Sequence, residues 1–471
     1  MDISQARPLI QRDFASHILP TLAEYVRIPN KSPLFAPDWA ADGHMARAAE
    51  LLAGWCRRQP VKGLQVEVLQ REGRTPVIVC EIPATASDAT GSVLMYGHFD
   101  KQPEFTGWDS DLDPWTPVFR EGRLYGRGGA DDGYAVFSSL EAIAVLEAQG
   151  IPHARCLILI EACEESGSFD LPFYVELLAD RIGTPNLVVC LDAECGDYDT
   201  FWLTTSLRGN LVGTLTCEVL TEGVHSGMAG GIAPTPVRIL RALLDRLENV
   251  HTGDVLVESL HASIPRHRLD QARAAAQVLG ESVWRKLPFS AGVEPISKDP
   301  VELLINGTWK PTVTITGAEG LPSIRNAGNV LLPRVALKLS LRLPPTVDAT
   351  KAAAAVKDIL ERDPPNGARI TFNVDSSLDG WHAPDLQPWL TEAVERGANE
   401  HFTRDPLAMG TGGSIPFIGM LQQRFPETQF VVTGVLGPKS NAHGPNEFLD
   451  VPTAEKLTGF VAGLLERHAR A

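Results

Sequence analysis

The sequence has no apolar run approaching the about 18 residues that cross a bilayer. Its opening Met1-Asp2-Ile3-Ser4-Gln5 has neither the basic nor the apolar region of a secretory signal. Basic residues are outnumbered: 42 Lys and Arg stand against 58 Asp and Glu, a formal net charge of −16. A surface that acidic repels phosphate backbones and anionic lipid, so neither nucleic acid nor a membrane is expected as a partner. No Cys-x-x-Cys pair is present for a thiolate zinc site. The 7 cysteines fall mostly in apolar runs, such as Val188-Val189-Cys190-Leu191, and read as reduced core thiols. None has the histidine context of a nucleophile. There is no P-loop, and Gly126-Arg127-Gly128 lacks the third glycine of a dinucleotide fingerprint. Asp131 and Asp132 would repel a pyrophosphate there. A cytoplasmic protein is expected.

What is present fits a folded chain of two or three domains: 471 residues, 44% hydrophobic and 21% charged. The first part alternates strand and helix signals. Ser92–Tyr96, Arg155–Ala162 and Leu187–Leu191 are short and almost wholly apolar, as strands buried on both faces are. Helical periodicity runs over Met45–Arg58 and Tyr134–Ala148. This order predicts an α/β domain with a mostly parallel sheet. From about Arg208 the pattern becomes strand–helix–strand–strand–helix–strand, with a polar, irregular stretch from His251 to Asp299. That is the split βαβ order of an α+β, ferredoxin-like domain. Helix, strand and helix signals then return (386–401, 429–433, 453–468). The expected division is 1–207 and 381–471 for the first domain, with 208–380 inserted into it.

Chemistry-bearing residues collect just past strand ends, where open α/β sheets keep their sites. His98 and Asp100 follow the strand at Ser92. Asp131 and Asp132 precede the helix at Tyr134. Glu164 and Glu165 follow the strand at Arg155, and Asp192 the strand at Leu187. His443 lies in an Asn/Gly/Pro-rich loop. Taken singly, His98 reads as a strand cap, Asp131 and Asp132 as helix caps, and Glu164-Glu165 as a solvated turn. Taken together, the carboxylates would converge on one sheet edge, where their repulsion calls for a neutralising cation pair. Imidazole and carboxylate donors without thiolate suit zinc, manganese or cobalt. The glycines before Ser414 offer exposed amides to a small anion such as a carboxylate.

Several motifs combine: Tyr96-Gly97-His98-Phe99-Asp100, Gly107-Trp108-Asp109, Gly126-Arg127-Gly128 through Asp131-Asp132, Glu164-Glu165-Ser166-Gly167, His225-Ser226-Gly227, Gly412-Gly413-Ser414-Ile415-Pro416 and Asn441-Ala442-His443. In this combination the chain resembles the M20 family of dinuclear zinc peptidases, in its carnosinase-like branch of cytosolic non-specific dipeptidases. The resemblance implies two divalent metal ions per subunit. His98, Asp131 and Asp192 would hold one, and Asp131, Glu165 and His443 the other, with a cis peptide after Asp131. Asp100 would orient His98 and Glu164 would be the general base. The inserted domain would be a lid and dimerisation domain of a homodimer, with His225 stabilising the oxyanion in the partner subunit's site. Arg342, Gly413 and Ser414 would bind the substrate carboxylate, and Asn329 would add a further lid contact. The implied activity is hydrolysis of dipeptides or similar small amides. The alternatives are an N-acyl-amino-acid deacylase or glutamate-type carboxypeptidase of the same family, and a non-catalytic binding homologue. One departure stands out: Asp131-Asp132-Gly133-Tyr134 replaces the branch's Asp-Asp-Lys-Gly. A changed pocket beside Asp131 is expected from it.

Overall fold

The sheet that carries the sequence's longest apolar runs lies in the first of two compact units. The computed structural model describes residues 1–85 and 91–471. The first unit comprises Met1–Thr205, Ala383–Met409 and Met420–Ala471; the second comprises Ser206–His382 and Gly410–Gly419.

At the centre of the first unit four strands run parallel: Arg155–Glu161, Ser92–His98, Leu187–Cys190 and Gln429–Val432. Gln65–Leu69 and Val77–Ile82 extend the sheet antiparallel beyond Arg155–Glu161. The parallel strands are buried along almost their whole length, which explains their continuous apolar sequence. Helix Ala135–Ala148 packs on helix Val451–His468, which in turn packs on Pro388–His401. Phe137, Leu140, Ile143, Phe460 and Leu464 belong to one continuous core with the strands.

Two N-terminal helices, Ile3–Asp13 and Leu19–Val26, join a short π-helical turn, Phe14–Ile18. Sequence periodicity did not pick them out. Pro8 and Pro20 interrupt the pattern, and it is burial of Ile10, Phe14, Ile18 and Leu22 that fixes the segment. Two short helices, Leu171–Leu177 and Ala179–Ile182, follow one another with a break at Leu178.

The second unit carries an antiparallel sheet in the order Thr312–Glu319, Arg334–Leu343, Gly209–Glu218, Arg369–Leu378. Helices Pro236–Leu244 and Ala349–Glu361 cover one face, burying Leu211, Leu215, Leu240, Leu243, Leu339, Leu341, Val356 and Phe372 together. This is the split βαβ arrangement. The stretch expected to be irregular holds a regular helix, Arg266–Leu279. Its buried positions are Arg268 and alanines, which give little hydrophobic contrast in sequence.

Candidate metal and catalytic site

Register decides which side chains meet at the sheet edge. His98 pairs with Glu161 at the carboxyl ends of adjacent parallel strands. Glu164 and Glu165 therefore turn back over His98, and Asp192 emerges beside it, two residues past the end of Leu187–Cys190. A Cβ on Gly97 would lie 2.6 Å from Asp132 Oδ2, so glycine there lets the Asp131 turn approach the strand. The Asp131–Asp132 peptide is cis.

The resulting distances are short. His98 Nε2 lies 3.1 Å from Asp131 Oδ1 and 3.7 Å from Asp192 Oδ2. His443 Nε2 lies 3.1 Å from Asp131 Oδ2 and 3.3 Å from Glu165 Oε2. Asp131 thus divides its two oxygens between two imidazoles. Donor atoms of His98, Glu164 and Asp192 lie within 4.8 Å of one another, as do those of His98, Asp131 and Glu165.

Hydrogen bonds hold this group from behind. His98 Nδ1 lies 3.1 Å from the Asp100 carbonyl and 3.4 Å from its Oδ1. Asp100 also accepts the backbone N–H groups of Glu164 (3.1 Å) and Glu165 (3.0 Å), so it fixes the glutamate turn as well as the imidazole. Gln102 Nε2 donates to Glu165 Oε2 at 2.5 Å. Asp132 Oδ2 accepts the His98 backbone N–H at 3.3 Å. Tyr134, in the departing motif, is buried and donates its hydroxyl to the Leu191 carbonyl. It lies beneath the site rather than in an open pocket.

The charges are in conflict. Burial, then the charges of Asp131 and Glu164, push Glu165 well above the usual carboxylate range. Burial also raises Glu164, aided by Asp192, Glu161 and Asp100 against the opposing pull of His98. Burial lifts Asp192 to about 6, partly offset by His98. Burial opposes ionisation of Asp131 too, but hydrogen bonds from His443 and His98 outweigh it and hold the carboxyl far below its ordinary value.

The donor set fits divalent cations. With Nδ1 of His98 directed at Asp100, its Nε2 presents a lone pair to carboxylate oxygens unless the ring is charged or a cation intervenes. Glu165 Oε1 is buried with no hydrogen-bond partner among the described residues. Imidazole nitrogen and carboxylate oxygen are the ligands zinc, manganese and cobalt accept.

The remaining sequence candidates form local groups in the second unit. Arg342 lies on the face of Arg334–Leu343 opposite the buried Leu341 and Leu343, and its Nη1 donates to Ser414 Oγ at 3.2 Å. Ser414 in turn donates to the Arg208 carbonyl. The Arg208 N–H donates to the Gly413 carbonyl at 3.1 Å, and Arg208 Nε lies 3.3 Å from the Gly412 carbonyl. Sequence reading missed Arg208 and Gln102, whose partners are distant in the chain or are backbone groups. His225 is exposed and accepts the Gly227 N–H on Nδ1 at 3.1 Å, which leaves the neutral ring's proton on Nε2. Its strand pairs with Val330–Leu331, and the adjacent Asn329 carbonyl accepts the Ser226 N–H at 2.9 Å.

Known proteins share this arrangement of chain. A cysteinylglycine-S-conjugate dipeptidase of Corynebacterium striatum is 27% identical over 375 residues, covering 78% of each chain. The human Beta-Ala-His dipeptidase is 28% identical over 376 residues, covering 74% of this chain and 69% of the relative. Among solved structures, human carnosine dipeptidase 1 superposes with a TM-score of 0.79 at 22% identity, over 100% of this chain and 99% of the other. The dipeptidase Dug1p from Saccharomyces cerevisiae gives 0.78 at 21%, with the same coverage. Residues 94–467 match the model of Peptidase family M20/M25/M40, a span running from the strand of His98 past the loop of His443. The chain belongs to that peptidase family.

Proposed function

We propose that this chain hydrolyses the amide bond of dipeptides, or of similar small substrates with a free C-terminal carboxylate, using two divalent cations per subunit. The observation that carries this reading is Asp131, whose two oxygens each stand 3.1 Å from a different imidazole. That placement supports a bridging role for the Asp131 carboxylate. His98, Asp131 and Asp192 would hold one cation; Asp131, Glu165 and His443 the other. The dipeptidase names of the relatives support the substrate class. Zinc is the first expectation for the cation, with manganese and cobalt compatible with the same donors.

When bound, such a cation pair supplies Lewis acidity, acidifying a water and polarising the scissile carbonyl. Glu164 takes the proton of the attacking water on its carboxylate and returns it to the leaving amine nitrogen. Its raised basicity suits both transfers. Arg342 and Ser414, with the backbone of Gly413, bind the substrate carboxylate through charge-assisted hydrogen bonds. His225 donates from Nε2 to the oxyanion, a contact typically worth about 3–4 kcal/mol. We infer that the second unit serves as lid and dimerisation domain, with His225 acting in the site of a second copy and Asn329 supporting it. The free, buried state of all the cysteines fits a reducing, cytoplasmic setting.

The test is amino-acid release from a panel of free dipeptides and N-acetylated amino acids, with zinc- or manganese-loaded protein and a chelator control. Chelator-sensitive cleavage of free dipeptides is expected. Cleavage of the acylated compounds alone would replace the reading with deacylation, and no cleavage of either by cation-loaded protein would overturn it.

A further inference from the structure

Hydrolysis as described leaves one buried ion pair without a task. Arg127 Nη1 and Glu447 Oε2 lie 2.7 Å apart, with side-chain exposures of 1% and 0%. Taking two charges out of water is costly, and a buried pair of this kind is often no more stabilising than apolar residues of the same size. Its value is to be sought in what it holds.

The pair touches three segments, each carrying part of the site. Glu447 Oε1 accepts the backbone N–H of Gly128 at 3.0 Å, of Ala130 at 3.3 Å and of Asp131 at 3.4 Å. Arg127 Nη2 donates to the Gly444 carbonyl at 2.6 Å, beside His443. Arg127 Nε donates to the Pro103 carbonyl at 3.2 Å, beside Gln102, which holds Glu165. A backbone bond from Gly126 N–H to the Glu447 carbonyl, 3.0 Å, runs alongside.

The two halves of the site are supported differently. His98 and Asp192 stand at or just past the ends of regular parallel strands. His443 stands in a loop where Lys439, Asn441, His443 and Asn446 all have φ between 53° and 68°. Side-chain-bearing residues adopt that region at a cost, so such a loop needs support from outside itself.

We infer that Arg127 and Glu447 are positioning residues: a clamp that sets the His443 loop against the Asp131 turn and so creates the second of the two cation sites. The inference rests on the two-cation reading above. It predicts an asymmetry, because the clamp grips the Asp131–Glu165–His443 side while strand ends support the other.

The experiment is titration of cation-free, full-length protein with cobalt(II), followed by calorimetry and visible absorption. Glu447→Gln keeps an oxygen for the amides but removes the charge. Arg127→Lys keeps the charge but loses the bonds to Pro103 and Gly444. Wild type is expected to take up two cobalt ions. Each variant should keep the tighter site and weaken the other by tenfold or more, with kcat recovering at high cobalt and KM for a dipeptide unchanged. Should the single variants fold poorly, the double variant Arg127→Met/Glu447→Gln removes the buried charges together and should show the same loss with its thermal midpoint kept. Two unaltered cobalt sites in the folded variants, or equal weakening of both, would overturn the clamp. Uptake of one cobalt by wild type would overturn the two-cation reading itself, and the clamp with it.

Discussion

The hydroxyl of Tyr134 donates to the carbonyl oxygen of Leu191, the residue immediately before Asp192. Tyr134 also directly precedes helix Ala135–Ala148, just past the Asp131–Asp132 turn. One buried hydrogen bond therefore joins the backbone supporting two candidate cation ligands. Tyr134→Phe keeps the ring and removes the donor, leaving a buried carbonyl without it, at about 1–3 kcal/mol. A lower thermal midpoint in chelator is expected, together with a cation affinity weakened about tenfold and an unchanged KM for dipeptides. Metal titration and a dipeptide panel check this. A shift in side-chain preference with full stability would return Tyr134 to a pocket-shaping role.

Glu164→Gln separates proton transfer from cation binding. Asp100 Oδ1 holds the backbone N–H of residue 164, so the turn should keep its place when the side chain becomes an amide. Turnover is expected to fall by about 10²–10⁴, with the number of bound cations unchanged by calorimetry. Near-wild-type activity would assign the base elsewhere.

Arg342 should matter only to substrates with a free carboxylate. Burial lowers the pKa of its guanidinium, as a poorly solvated charge behaves, and its Nη1 is held by Ser414. Losing a hydrogen bond to a charged group costs about 1.5–3 kcal/mol. Arg342→Met is therefore expected to raise KM for dipeptides by about 10–150-fold and to leave dipeptide amides nearly unaffected. Equal effects on both would place the carboxylate contact on another residue.

The parallel centre of the first unit was legible because a strand buried on both faces can hardly avoid a continuous apolar sequence. Arg155–Glu161 and Leu187–Cys190 end within a residue of the boundaries read for them. His98, Glu164, Glu165 and Asp192 were legible as a group for the same reason: each ends or closely follows such a strand. The Arg266–Leu279 helix was not, because its buried positions are Arg268 and weakly apolar alanines rather than a stripe of large apolar residues. Nor were the partners that hold the site. Arg127 and Gly444 lie 317 residues apart in sequence, and only the fold makes them neighbours. Gln102 carries no pattern at all; its role appears only when Glu165 is placed against it.

A second grouping of ligand-type side chains shows how far such patterns can mislead, and it yields a pH prediction. Donor atoms of Asp13, His17 and Glu141 lie within 4.8 Å of one another. Trp55 Nε1 donates to His17 Nδ1 at 3.1 Å, which places the neutral ring's proton on Nε2 and leaves no lone pair for a cation. Arg12 already occupies both Asp13 oxygens, at 2.8 and 3.0 Å. Glu141 is 2% exposed and its Oε1 has no hydrogen-bond partner among the described residues. Burial, then the charge of Asp13, raises its pKa from 4.5 to about 8. Between those values the folded chain binds more protons at this site than the unfolded one. Its contribution to stability is therefore full below about pH 4.5 and is lost as pH rises toward 8, by at most about 1.4 kcal/mol per unit. Glu141→Gln removes the titration. In urea unfolding at saturating cation, the variant should gain on wild type steadily between about pH 5 and pH 8. A difference that stays constant across that range would mean that Glu141 does not titrate there, and that water or a shifted Arg12 compensates its charge.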